Sequence, residues 1–137
     1  MRLLNTNGKS FPLDEISIAA GTHVAELRRG VIETYHLTPE QFHIERQSLE
    51  GLSVENSIDS AALIRSALSG SADNSAKKAA AMIALNAGAT IYVSGVAATL
   101  ADGVEMAEDL LATGQAAEKL KSFIDFTQLM KSGDSSL

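Results

Sequence analysis

The stretch from Ala79 to Ala101 carries no charged residue, and it constrains the fold more than any other feature of the chain. As a helix, a segment of that length could cross a bilayer. Its composition argues against this. It is rich in Ala and Gly and holds Asn86, Thr90, Ser94 and Thr99. Ala contributes little to membrane insertion, and polar groups oppose it. The better reading is a helix buried inside a protein. Ala80, Ala84 and Gly88 recur every four residues, a smooth stripe that lets a neighbouring element approach closely. Met82, Leu85, Ala89 and Tyr92 form a second apolar stripe. The helix is expected to run from about Ser75 to Val93 and to be the most buried element.

A core around such a helix must be built from small and aliphatic side chains. Aromatic residues make up only 4% of the chain, and there is no Trp. The 137 residues suffice for one domain, 1–137, with a modest core. A formal net charge of -6 with so few aromatics disfavours a general nucleic-acid binder, which needs basic patches and stacking platforms. The absence of Cys excludes disulfides, zinc-thiolate sites and Cys nucleophiles, and it fits the cytoplasm. The first residues, Met1 to Thr6, lack the apolar run of a signal peptide.

Before the long helix the pattern is different. Residues 1–21 read as irregular, with a short strand at Leu3-Leu4, a turn signal at Asn7-Gly8 and a helix-blocking Pro12. Two short runs, His23 to Leu27 and Val31 to Leu37, flank Arg28-Arg29-Gly30, and Gly30 can take the positive φ of a tight turn. This predicts a β-hairpin over 23–37. Thr38-Pro39-Glu40-Gln41 reads as the capped start of a single helical turn. Residues 57–130 read as helical. Ser57 is expected to cap a helix that buries Ile58, Ala61, Ile64 and Leu68 and stops at Gly70. Gly95 ends or loosens the long helix. Thr99 with Asp102 forms a capping box, followed by a face of Val104, Ala107 and Leu111, and Gly114 is a stop. The last helix carries Ala116, Leu120, Phe123, Ile124 and Met130, and the tail from Ser132 is expected to fray. The fold class is therefore α+β: a small antiparallel hairpin packed on about four helices.

Candidate chemistry is sparse. Asp14-Glu15 is the best site, because two carboxylates in a loop can share a hard cation such as Mg²⁺ with substrate phosphates. An isolated Asp-Glu pair is, however, usually just solvated. A two-residue hairpin turn would set His23 opposite His36, yet no third ligand completes a metal site. His43 has no motif around it. Arg28-Arg29 at the hairpin tip and Lys77-Lys78 at a helix start read as solvated charge. No nucleophile elbow, Walker loop or dinucleotide glycine pattern is present.

Three stretches taken together resemble a known family. They are Leu13-Asp14-Glu15-Ile16-Ser17; His23 to Leu27 through Gly30 with Tyr35 to Phe42; and Ala84-Leu85-Asn86-Ala87-Gly88-Ala89 with Ile91 to Ala97 and Leu100 to Val104. In this order they are similar to the carboxy-terminal part of the anthranilate phosphoribosyltransferases. The resemblance implies a fragment of an α/β catalytic domain. It also implies a parent enzyme of tryptophan biosynthesis that transfers a phosphoribosyl group from phosphoribosyl pyrophosphate to anthranilate. By the same resemblance, Asp14 and Glu15 ligate Mg²⁺ in the complete enzyme. The family's Gly-Thr-Gly-Gly-Asp phosphate loop and Lys-His-Gly segment are absent. No catalytic or substrate-binding residue is therefore assigned here, and the chain alone is expected to be inactive. Surfaces normally covered are expected to drive self-association, with no nucleic-acid or membrane partner. A free-standing noncatalytic binding or scaffolding relative and a fragment of a related nucleoside phosphorylase are the alternatives.

Overall fold

In the computed structural model, which describes residues 3–4, 10–11, 13 and 15–133, short strands precede a run of helices. The strands are β1 (Leu3–Leu4), β2 (Ser10–Phe11), β3 (Gly21–Arg28) and β4 (Val31–Leu37). A 3-10 turn over Pro39–Phe42 follows, then α1 (Ser57–Leu68), α2 (Asn74–Val93), α3 (Leu100–Ala112) and α4 (Gln115–Gly133). The sheet order is β2-β1-β3-β4, and every neighbouring pair is antiparallel. β1 is the short strand expected at Leu3-Leu4. β2 lies in a stretch expected to be irregular. Strands of two residues carry little local signal, and here they exist through pairing, with Leu3 opposite Phe11 and Thr22. The Asn7-Gly8 turn, Pro12 and the tail beyond Gly133 lie outside the described residues.

The hairpin forms as its sequence predicts. Arg28 pairs with Val31, so Arg29 and Gly30 alone make the turn, with φ of 51° and 81°. Two successive positive φ values match the right-handed twist of the flanking strands. Gly30 adopts this conformation without cost, whereas Arg29 bears its Cβ there. The capped turn also appears: the Thr38 amide donates to Gln41 Oε1 at 3.1 Å, and His43 ends the turn at φ 59°.

Arg46 then folds back on that turn. Its Nε donates to Glu40 Oε1 at 2.8 Å and its Nη2 to Oε2 at 3.2 Å. This two-pronged pairing holds the Glu40 carboxyl at about 2, well below its ordinary 4.5. A lowered folded-state value means the pair contributes stability above 4.5 and loses it as the pH falls toward 2. Urea midpoints of the native chain and Glu40→Gln should therefore differ near neutral pH and converge in acid. A gap that widens on acidification would contradict this pairing.

Helix α1 departs from its sequence reading in two ways. Asn56, not Ser57, caps α1, accepting from the amides of Ile58 and Asp59 at 2.9 Å each. The buried end of α1 is Ala67 and Leu68, while Ile58 is 79% exposed and Ile64 also faces outward. The expected apolar face thus points largely away from the core. Asp73 caps α2, and the Thr99–Asp102 capping box opens α3 as read from the sequence.

Helix α2 contributes more buried positions than any other described helix: Ala76, Lys78, Ala79, Ala84, Leu85 and Gly88. Against it packs a core of Ile16, Ile18, Leu37, Phe42, Ile44 and Val104. Its small-residue stripe is used where α3 crosses. A Cβ on Gly88 would sit 2.6 Å from the backbone of Val104, and one on Gly103 would collide with the Gly88 carbonyl oxygen. The backbones of α2 and α3 are therefore in direct contact, which only glycine at these positions permits. No helix of the described residues is long and apolar enough to cross a membrane.

Candidate functional site

The acidic loop sits on the flank of α2, and a polar residue from the charge-free part of that helix holds it there. Asn86 Oδ1 accepts from the Ile16 amide at 2.8 Å. Asn86 Nδ2 donates to the Ile16 carbonyl at 2.9 Å and to the Met82 carbonyl at 2.8 Å. Two residues on, the Ile18 amide donates to Met82 Sδ at 3.4 Å, and the Ile18 carbonyl accepts from the Gln47 amide at 3.0 Å. Ile16, Ser17 and Ile18 are buried, and Glu15 just before them is exposed. Asp14 lies outside the described residues. The result is a fixed backbone that leaves the Glu15 carboxylate facing solvent.

A second polar cluster joins the hairpin to the far half of α2. Tyr92 Oη donates to Glu26 Oε1 at 2.7 Å and Tyr35 Oη to Oε2 at 3.0 Å. The two hydroxyls, Tyr92 first, stabilise the Glu26 carboxylate and hold its pKa below the usual value. Burial first, then the neighbouring carboxylate, pushes Tyr35 up to about 12. Tyr92 is raised chiefly by its bond to Glu26. This cluster is therefore a neutral-donor, charged-acceptor clasp across the physiological range. It borders a groove of about 1100 Å³ between hairpin and α2, which Ile16, Asn86 and Leu100 also line.

The other sequence candidates separate. His23 and His36 do face each other across the strands, with ring centroids 4.8 Å apart and edge-on. Among the described residues no group of three or more His, Cys, Asp or Glu could hold a metal ion. Arg28, Arg29 and His43 are exposed. Lys77 is exposed but Lys78 is buried, its Nζ donating to the Glu50 carbonyl at 2.9 Å and Ser48 Oγ at 3.3 Å. That ammonium ties the 48–50 segment to α2, a role its place in a Lys-Lys pair concealed. The sequence likewise does not mark Asn86 or Glu26 as anchors. The available signal was an Asn in the middle of an apolar helix, since buried polar groups must find partners.

Comparison with known proteins places this arrangement in context. Residues 4–117 match the family described as glycosyl transferase family, a/b domain. The anthranilate phosphoribosyltransferase of Saccharophagus degradans is 57% identical over 117 residues, covering 85% of this chain and 34% of that protein. The crystal structure of anthranilate phosphoribosyltransferase from Thermus thermophilus superposes with a TM-score of 0.72 at 33% identity, over 85% of this chain and 33% of the other. The Saccharomyces cerevisiae anthranilate phosphoribosyltransferase in complex with 4-fluoroanthranilate shares the fold, with a TM-score of 0.69 at 24% identity. The chain thus spans about a third of the length of the curated relatives it matches.

Proposed function

Because the chain belongs to the glycosyl transferase family, a/b domain, we propose that it is the carboxy-terminal part of an anthranilate phosphoribosyltransferase. In this reading the complete protein transfers a phosphoribosyl group from phosphoribosyl pyrophosphate to anthranilate, in the cytoplasm. The observation that carries the reading is the union of two motif stretches. The loop after Asp14-Glu15 and the Leu85-Asn86-Ala87-Gly88 turn of α2, 70 residues apart, meet through the Asn86 carboxamide.

Asp14 and Glu15 would hold Mg²⁺. The donor set fits a hard cation: carboxylate oxygens, with Glu15 exposed on a backbone that is itself fixed. Two carboxylates leave most of the coordination sphere to water and substrate phosphates, which is how Mg²⁺ is commonly bound. Bound there, the ion would offset the charge that grows on departing pyrophosphate. This chain's residues supply an anchored acidic loop. Catalysis of a two-substrate transfer also requires both partners to be held in line, and that task falls to residues elsewhere in the complete protein.

The proposal has a direct assay. With anthranilate, phosphoribosyl pyrophosphate and Mg²⁺, the complete protein should release pyrophosphate, and the isolated 137-residue chain should not rise above background. The isolated chain should also sediment above its monomer mass. Leu27, Val31 and Ile32 on the hairpin, Val93 at the end of α2 and Val96 just beyond it are apolar side chains left exposed. Turnover by the isolated chain would sink the division of labour. A complete protein that uses a nucleoside in place of anthranilate would sink the substrate assignment.

A further inference from the structure

We propose that Asn86 is a positioning residue for the acidic loop, holding the Ile16 peptide against α2 and so setting where Glu15 presents its carboxylate. The proposal rests on the metal reading given above. One carboxamide takes both the N–H and the C=O of Ile16, at 2.8 and 2.9 Å. That is the pairing a neighbouring β-strand would offer, delivered by a side chain. It fixes residue 16 in both position and rotation.

The carboxamide is itself locked. Nδ2 also donates to the Met82 carbonyl at 2.8 Å, one helical turn earlier. Turning the amide over would set its oxygen against the carbonyls of both Ile16 and Met82, so only one orientation satisfies all three contacts. Met82 Sδ and the Gln47 amide then tie residue 18 from two sides. Ile16 and Ile18 already bury their side chains in the core without the carboxamide. What the carboxamide adds is register, transmitted to the residue immediately preceding Ile16. Groups that orient a ligand without touching the ion commonly set metal affinity by about 10-fold to 100-fold.

The test uses the complete transferase. Asn86→Ser should raise the Mg²⁺ concentration giving half-maximal rate by about tenfold or more, with kcat at saturating Mg²⁺ held within about twofold. Amide hydrogen exchange gives a readout independent of activity. The peptide spanning residues 13–18 should exchange about tenfold faster or more, while the rest of α2 is unchanged. Faster exchange with an unaltered Mg²⁺ dependence overturns the proposal, because Asn86 would then only pack the loop. Unaltered exchange overturns it as well. If Asn86→Ser does not fold, Met82→Leu removes the sulfur acceptor of the Ile18 amide at similar volume, and both shifts should appear at about threefold. Glu15→Gln run in parallel separates the two readings. If it changes the Mg²⁺ dependence and the anchor variants do not, positioning alone fails. If none of the variants changes it, the metal assignment fails too.

Discussion

If Asp14 and Glu15 hold Mg²⁺ as proposed, Asp14→Asn and Glu15→Gln in the complete protein should each slow turnover by about two orders of magnitude or more, the scale of losing one group that stabilises transition-state charge. Each substitution keeps side-chain shape and removes one negative charge. Glu15 is exposed, so its replacement should leave the melting temperature nearly unchanged. The loss therefore belongs to chemistry and not to folding. Added Mg²⁺ should restore part of the rate, because a weakened site still fills by mass action. The same pair in the isolated chain should give little heat with Mg²⁺ in a calorimeter, since two carboxylates without substrate phosphates leave the ion largely hydrated. Kinetics on the complete protein and calorimetry on the isolated chain test the two halves. Unchanged kinetics in both variants would return Asp14-Glu15 to an ordinary solvated loop.

The second large effect is on stability. Gly88→Ala and Gly103→Ala should each destabilise the protein, although alanine is the better helix former by about 1 kcal/mol. The added methyl at 88 meets the backbone of Val104, and the one at 103 meets the Gly88 carbonyl. Backbone cannot move aside as a side-chain tip can, so the helices must part. Overpacking of this kind costs about 1–3 kcal/mol or more, and the net loss should be about 2 kcal/mol. For a chain of this size that is a fall in Tm of about 5–10 °C, readable by scanning calorimetry. The double variant should be less damaging than the sum, because either methyl alone already separates the pair. A rise in Tm for either single variant would mean that α2 and α3 do not touch as described.

Most of the helical half was legible because its signals are local. The Thr99–Asp102 box, the glycine stops and the four-residue stripe on α2 each act within one or two turns. The Arg29-Gly30 turn and the His23–His36 register follow from chain spacing alone. What escaped reading depends on partners far along the chain. β2 exists because β1 lies beside it. Ile58, Ile64 and Leu68 share helical spacing, yet the core meets α1 at its last turn, through Ala67 and Leu68. Lys78 looked like surface charge, and its partners are 28 and 30 residues away. Asp14-Glu15 stands out as a metal candidate only through the family resemblance, since an Asp-Glu pair has no signature of its own. Asn86, its anchor, lies inside the Ala84–Ala89 motif, where nothing local marks it as the loop's partner.

The separation between that anchor and its loop has a consequence during synthesis. Ile16 leaves the ribosome 70 residues before Asn86. At roughly 5–20 residues per second, the acidic loop spends about 4 to 14 seconds with its backbone groups bonded only to water. The loop cannot take up its final register until most of α2 has been made. Pausing of translation between the two segments should lengthen this window, whereas pausing after α2 should not.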